Sequence, residues 1–395
     1  MKPRLFAVKY LLINVILMIH IISPVTIRAQ IPTYSLQKVP EKSIIRISEI
    51  GASDITYIPL ENSSESIIPR ISRILFARNY ILTQQYTNVN MFHLDGSFVT
   101  KVGTEGLRSN EFTVIHDIDI NPTNGAIYIV DGWQQKFLIY DKNGKFIKTF
   151  NYPLKAAINF RFASEGILTY NFNILGNINQ SFILLDTIGK IIKKFPNKYL
   201  WRSTGEINNY FMRGENLFYR YNGKLITKEI YSDTLYEFRN RNFRPYMVIN
   251  AGEFRLTPRL RTEPPDSINK KIFIPINLFE CHGFVYYEFA VQVKYNNESF
   301  GFIGLKKNNS IITFDASKGL INDLDGGPNI IPKTVKDNNI LVAWVDALQL
   351  KSHVASEEFR NSRPLYPEKK KELENLANSL KETDNPVLVL VRLKK

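Results

Sequence analysis

Three short stretches of this chain repeat one pattern at nearly constant spacing, and that spacing limits the folds open to it. The runs "MFHLDGSFVTKV" (91–102), "FLIYDKNGKFIKTF" (137–150) and "ILLDTIGKIIKKF" (183–195) each pass from an apolar strand through an Asp and a Gly into an alternating strand. The Gly supplies the positive φ that a tight hairpin turn demands. Gly96 and Gly144 lie 48 residues apart, and Gly144 and Gly189 lie 45 apart. A period in the forties, built of about four strands per unit, is the repeat length of a propeller blade. Further units read from Asn216 to Phe238, from Ile272 to Phe314 and from Ile340 to Leu350, so six are expected.

Between them, Arg239 to Lys271 carries Pro245, Pro258, Pro264 and Pro265 and reads as an excursion between strands of two blades. Helical period is almost absent before residue 367. Pro367 then suits a first helical position, and Leu373, Leu376, Ala377 and Leu380 follow at helical spacing. Pro386 ends that element, and "VLVLVRL" (387–393) reads as a buried strand completing a blade with N-terminal segments. Such closure removes exposed sheet edges. The expected fold is all-β: a six-bladed β-propeller with a short C-terminal helix before the closing strand.

The chain has 395 residues, 44% of them hydrophobic and 22% charged, which excludes wholesale disorder and leaves material for a large core. Its first residues narrow the compartment. Lys2, Arg4 and Lys9 precede an apolar run from Leu11 to Ile22, and Ser23-Pro24 breaks it ahead of Ala29. That is the layout of a signal peptide, too short for a spanning helix. The expected division is therefore 1–29 signal peptide and 30–395 a single propeller domain. Losing Lys2, Arg4, Lys9 and Arg28 with the leader lowers the net charge from +14 to +10. Export also removes nucleic acid as a partner. No cysteine follows the apolar run, so a lipoprotein anchor is not expected, nor is a membrane span after cleavage; the mature protein is expected in the periplasm or outside the cell.

Taken as a set, "DITYIPLE" (54–61), "HLDGSF" (93–98), "YDKNGKFIKTF" (140–150), "YSDTLYEF" (231–238), "DLDGGPNIIP" (323–332) and "DNPVLVLVRLKK" (384–395) resemble the exported 6-bladed β-propeller family of Bacteroidetes. Blades of that family are similar to NHL repeats. The resemblance spans nearly the whole mature chain and implies a fold and an exported location, without a catalytic site. Two departures stand out. Many members carry a lipobox cysteine that is missing here, and the usual Gly-Pro-Gly-Glu-like turn is replaced by Gly103 to Phe112.

Catalytic motifs are sparse. No HExxH, G-x-S-x-G, P-loop, G-x-G-x-x-G or sialidase box occurs. His93, His116, His282 and His353 are scattered; a propeller can still gather one residue per blade into a metal site, but structural histidines are the simpler reading. Cys281 and His282 are neighbours, which in a strand point to opposite faces, so the thiol reads as buried and inert. Asp323 and Asp325 before Gly326-Gly327 read as turn chemistry, lacking EF-hand spacing. No metal and no cofactor is expected.

Candidate ligand-binding residues fall in two groups. Asp131 and Trp133 follow the strand "AIYIVD", where Asp131 caps a turn and Trp133 either packs between blades or offers an aromatic platform at the channel mouth, with Trp201 and Arg202 as companions. Arg239, Arg241, Arg244, Arg255, Arg259 and Arg261 crowd the excursion, opposed only by Glu253, as a solvated basic loop or an anion-binding surface. The expected function is an exported binding or interaction module for a glycan, peptide or cell-envelope protein. The alternative is a propeller-type enzyme, such as a lactonase, glycan lyase or hydrolase, working in the central channel.

Overall fold

The computed structural model describes residues 31–36, 38–156, 158–202, 214–263, 268–294 and 296–394. The expected signal peptide (1–29) lies outside them. Among the described residues, alternating apolar residues and turn glycines produce six antiparallel sheets, the first five built from strands that follow one another in the chain. Sheet I holds Arg73–Phe76, Tyr80–Gln84, Val89–His93 and Phe98–Lys101, and sheet II holds Asp117–Ile120, Ile127–Asp131, Lys136–Tyr140 and Phe146–Asn151. Sheet III holds Ile158–Ala163, Gly166–Asn171, Gln180–Leu185 and Ile191–Pro196; sheet IV holds Asn216–Tyr221, Lys224–Glu229, Thr234–Arg239 and Asn242–Asn250. Sheet V holds Ile272–Glu280, Phe284–Val293, Asn296–Leu305 and Ile311–Phe314. Sheet VI is discontinuous: Thr334–Lys336, Ile340–Val345 and Val387–Leu393 are joined by Ala52–Pro59 from the other end of the chain.

The first strands of these sheets touch one another in a closed circuit. Arg73 of sheet I binds Asp117 of sheet II, whose Oδ2 accepts the Phe160 N–H of sheet III at 3.0 Å. Asn159 of sheet III donates to the Asn216 carbonyl of sheet IV at 3.1 Å, and Tyr219 of sheet IV donates to Glu280 of sheet V at 3.2 Å. Asn277 of sheet V donates to the Lys333 carbonyl, next to the first strand of sheet VI, at 3.0 Å. Lys336 of that strand then sits 5.3 Å over the Phe76 ring of sheet I.

The hairpin glycines explain the spacing of the repeat. Gly96, Gly144 and Gly189 all have φ between +82° and +93°. Each turn also tucks against the preceding sheet: Gly96 against Pro59 of sheet VI, Gly144 against Thr100 of sheet I and Gly189 against Phe150 of sheet II. Aromatic rings fill the wedges between sheets. Phe137 stacks on Phe150 at 4.8 Å and meets Phe160 edge-on at 5.0 Å, joining sheets II and III. Such pairs add about 0.5–1.5 kcal/mol each beyond the burial of the rings.

The N-terminal stretch acts as a strap. Thr33–Ser35 adds a parallel fifth strand to sheet IV, Ser43 bridges to Phe314 of sheet V, and Arg46 bridges to Ile321 before the chain enters sheet VI.

Two expectations need correction. The 239–271 excursion begins as a regular hairpin: Asn240 and Arg241, both at positive φ, turn the chain into the nine-residue strand Asn242–Asn250, after which the described residues 251–263 form only short 3-10 turns and loop. Pro245 is tolerated where the ladder shifts register between Leu235 and Tyr236. The unit expected to run as strand through Leu350 stops at Val345. Helices Ala347–Val354, Glu357–Asn361 and Pro367–Ser379 follow, the first burying Ala347, Leu350 and Val354 on one face. No helix among the described residues is long and apolar enough to cross a membrane.

Candidate functional site

The circuit of first strands surrounds a cavity of about 1830 Å³, to which all the sheets except II contribute lining residues. Helix Ala347–Val354 adds Leu348, Gln349, Ser352 and His353 to its wall. The wall mixes aromatic faces (Phe76, Tyr86, Phe218, Trp344) with charge, and its basic residues, Arg70, Arg73, Arg161, Arg220, Lys333 and Lys336, outnumber Glu288, Asp337 and Asp346.

Three of those arginines share two buried carboxylates. Asp117 and Asp119 alternate with isoleucines in "DIDI", so both project from one face of the first strand of sheet II. Arg73 binds Asp117 Oδ1 and the Ile118 carbonyl. Arg161 binds Asp117 Oδ2 at 2.5 Å and its own neighbour's carbonyl at Phe160. Arg220 donates to Asp119 Oδ2 and to the Phe162 carbonyl, each at 2.8 Å. Burial alone would raise the Asp119 carboxyl, but Arg220 and Arg161 outweigh it and hold the group below its ordinary value. Burial lowers Arg161 to about 10, helped by repulsion from Arg73, so it stays charged at neutral pH.

Elsewhere on the wall, burial raises the Glu288 carboxyl, partly countered by Lys333. No group of three or more His, Cys, Asp or Glu among the described residues is arranged to hold a metal ion.

The family model described as Domain of unknown function (DUF4934) matches residues 32–392. The chain belongs to that family. No curated protein matches it by sequence. A crystal structure of a Bacteroides fragilis protein described as exported superposes with a TM-score of 0.69 at 15% identity, covering 93% of this chain and all of that one. A DUF4221 family member from Bacteroides vulgatus gives a TM-score of 0.51 at 10% identity, covering 87% of this chain and 97% of that one. These likenesses establish the fold alone.

In this DUF4934 chain the residues singled out from sequence do not converge. Asp131 is fully buried. Its Oδ2 accepts the Thr113 N–H and hydroxyl at 2.7 Å, and its Oδ1 accepts the Trp133 and Gln134 N–H groups at 3.0 Å, so it holds a loop together. Trp133 is 45% exposed and stands edge-on to His116 at 5.1 Å. Trp201 is not its surface companion: it is 7% exposed, with the Arg261 guanidinium 5.0 Å over its ring. Arg202 is exposed.

The six arginines likewise divide. Arg239, Arg241 and Arg244 are exposed along the outer hairpin of sheet IV. Arg255 pairs with Asp233 at 3.2 Å, and Arg259 with Glu263 at 3.3 Å. Arg261 is the correction to a solvated loop: it is buried and ion-paired to buried Glu215 at 2.5 Å. A guanidinium withdrawn from water needs such a partner, and Glu215 lies too far back in the chain for a local reading to find it.

Cys281 is buried, and burial pushes its thiol far up, which removes it as a nucleophile at neutral pH. Asp325 closes a turn, accepting the Gly327 N–H at 2.9 Å and Asn322 at 2.6 Å, while Asp323 accepts the Ser48 N–H at 3.1 Å.

The cavity arginines and their aspartates went unread in the sequence although a signal was there. Asp117 lies 44 residues after Arg73, and Arg161 lies 44 after Asp117. A charge recurring in otherwise apolar first strands, at the period of the hairpin glycines, marks a layer facing the centre.

Proposed function

We propose that this protein is an exported six-bladed β-propeller, each sheet a blade, that works as a binding module with its ligand in the central cavity. The observation that carries this reading is the cavity itself: among the described residues it is neither plugged nor uniformly apolar, and its arginines stand on a rigid frame. Sites on such frames keep their geometry without ordering cost when a ligand arrives. The likeness to the B. fragilis protein described as exported, together with the leader-like residues 1–29, supports the compartment.

Binding of saccharides and peptides to the mature chain, measured with and without a cavity-filling change, tests the reading. Ile276 lines the cavity and is 42% exposed, so Ile276→Trp fills space without disturbing the core. Ligands of the wild type are expected to lose affinity in that variant. Ligand binding that ignores it would place the site elsewhere.

The competing reading, catalysis in the same cavity, rests on Glu288, a wall carboxyl raised by burial in the manner of a general acid. Turnover of a bound saccharide that disappears in Glu288→Gln would decide for it.

A further inference from the structure

The three cavity arginines leave one positive charge and several donors unused. Among the described residues, Arg73, Arg161 and Arg220 pair only with Asp117 and Asp119, so the cluster carries an excess of one unit. The other wall cations are matched or set apart. Lys333 acts on Glu288, Lys336 lies 3.7 Å from Asp337, and Arg70 is exposed. Nε and Nη2 of Arg73 and Arg161, and Nε of Arg220, make no hydrogen bond among the described residues. The aspartates are 5% and 3% exposed, behind the arginines that line the cavity.

We propose that this cluster seats a carboxylate: the ligand is an organic acid, free or as the uronic acid unit of a short saccharide. The proposal rests on the cavity being the binding site. Charge decides between anions. A monoanionic group seated on the cluster neutralises the excess unit, whereas a dianionic phosphate there leaves a net negative charge beside two buried aspartates, which costs free energy. Geometry points the same way, because planar guanidinium edges match a planar carboxylate two bonds at a time. The asparagines and aromatic rings of the same wall give hydroxyls and ring faces a place to rest.

Calorimetric titration of the mature chain with trigalacturonate, its methyl ester, free galacturonate and inorganic phosphate tests this at low and high salt. Trigalacturonate is expected to bind, to weaken at least about tenfold when esterified, and to weaken with salt, since a charge-assisted pair is lost or screened. Free galacturonate binding as tightly as the trimer would assign the ligand to the free acid; weaker binding would assign it to the saccharide. Arg220→Gln is expected to cost at least about tenfold for the acid and to leave the ester unchanged. Should that variant unfold, the comparison of acid with ester on the wild type still decides.

Ester and acid binding alike, phosphate binding more tightly than every carboxylate, or no carboxylate binding at all would overturn the proposal. A neutral ligand blocked by Ile276→Trp would overturn it while leaving the cavity reading intact.

Discussion

Glu229 shows how strongly the interior acts on single residues. It ends the second strand of sheet IV, 9% exposed, and burial pushes its carboxyl up to about 7, against the pull of Lys198 and a hydrogen bond from Ser181. The native state therefore keeps a proton that the unfolded chain, near its ordinary 4.5, has already released. The contribution of this group is complete below about 4.5 and is lost as pH rises to about 7. Melting temperatures of the wild type and Glu229→Gln at about pH 5 and about pH 8 check the sign: the variant should gain on the wild type at the higher pH. A constant difference would refute it. At this same scale the sequence was least readable. Asp131 was legible as a turn cap because its Oδ1 partners, Trp133 and Gln134, are local, whereas Arg261 and Trp201 looked like surface groups because Glu215, which draws the arginine inward, belongs to another part of the fold.

Among elements, the outer hairpins carry the repeat, and their glycines are not equivalent. A Cβ at Gly96 would lie 2.1 Å from the Pro59 carbonyl oxygen and at Gly189 2.4 Å from the Phe150 ring, whereas at Gly144 the nearest atom is a Thr100 methyl at 3.1 Å. Alanine at any of them meets an unfavourable φ costing about 1 kcal/mol, and at Gly96 an immovable backbone adds to it. Urea denaturation should show Gly96→Ala losing about 2–4 kcal/mol and Gly144→Ala about 1 kcal/mol. Equal losses would mean that the contact with the neighbouring sheet is unimportant. The hairpins were readable because Asp, Gly and alternation act within a few residues. The helix after Val345 was missed because "ALQL" continues an apolar run, and its helical face emerges only where Leu350 and Val354 meet the core.

For the whole molecule, closure depends on one shared sheet. Val387–Leu393 lies between Ile340–Val345 and Ala52–Pro59, so both ends of the chain are held by its ladders. Removing 387–395 opens two ladders at once and uncovers Leu341, Val342 and Ile55, all buried. That truncation is expected to abolish cooperative thermal unfolding, monitored by circular dichroism. Removing 31–36 takes away only an edge strand, with Tyr34 packed edge-on to Phe302, and should lower Tm while leaving one cooperative transition. A cooperative transition surviving the first truncation would show that the ring does not need its closing strand.

By itself the sequence determined an all-β chain of repeated hairpins, with a closing strand at its C-terminal end, because turn chemistry and alternation are local and written in consecutive residues. Only the tertiary structure decided where its charges work. Arg73 and Asp117 are 44 residues apart, and Arg220 and Asp119 are 101 apart. Burial selects among such distant groups by the free energy of leaving water, which depends on what the other sheets place alongside.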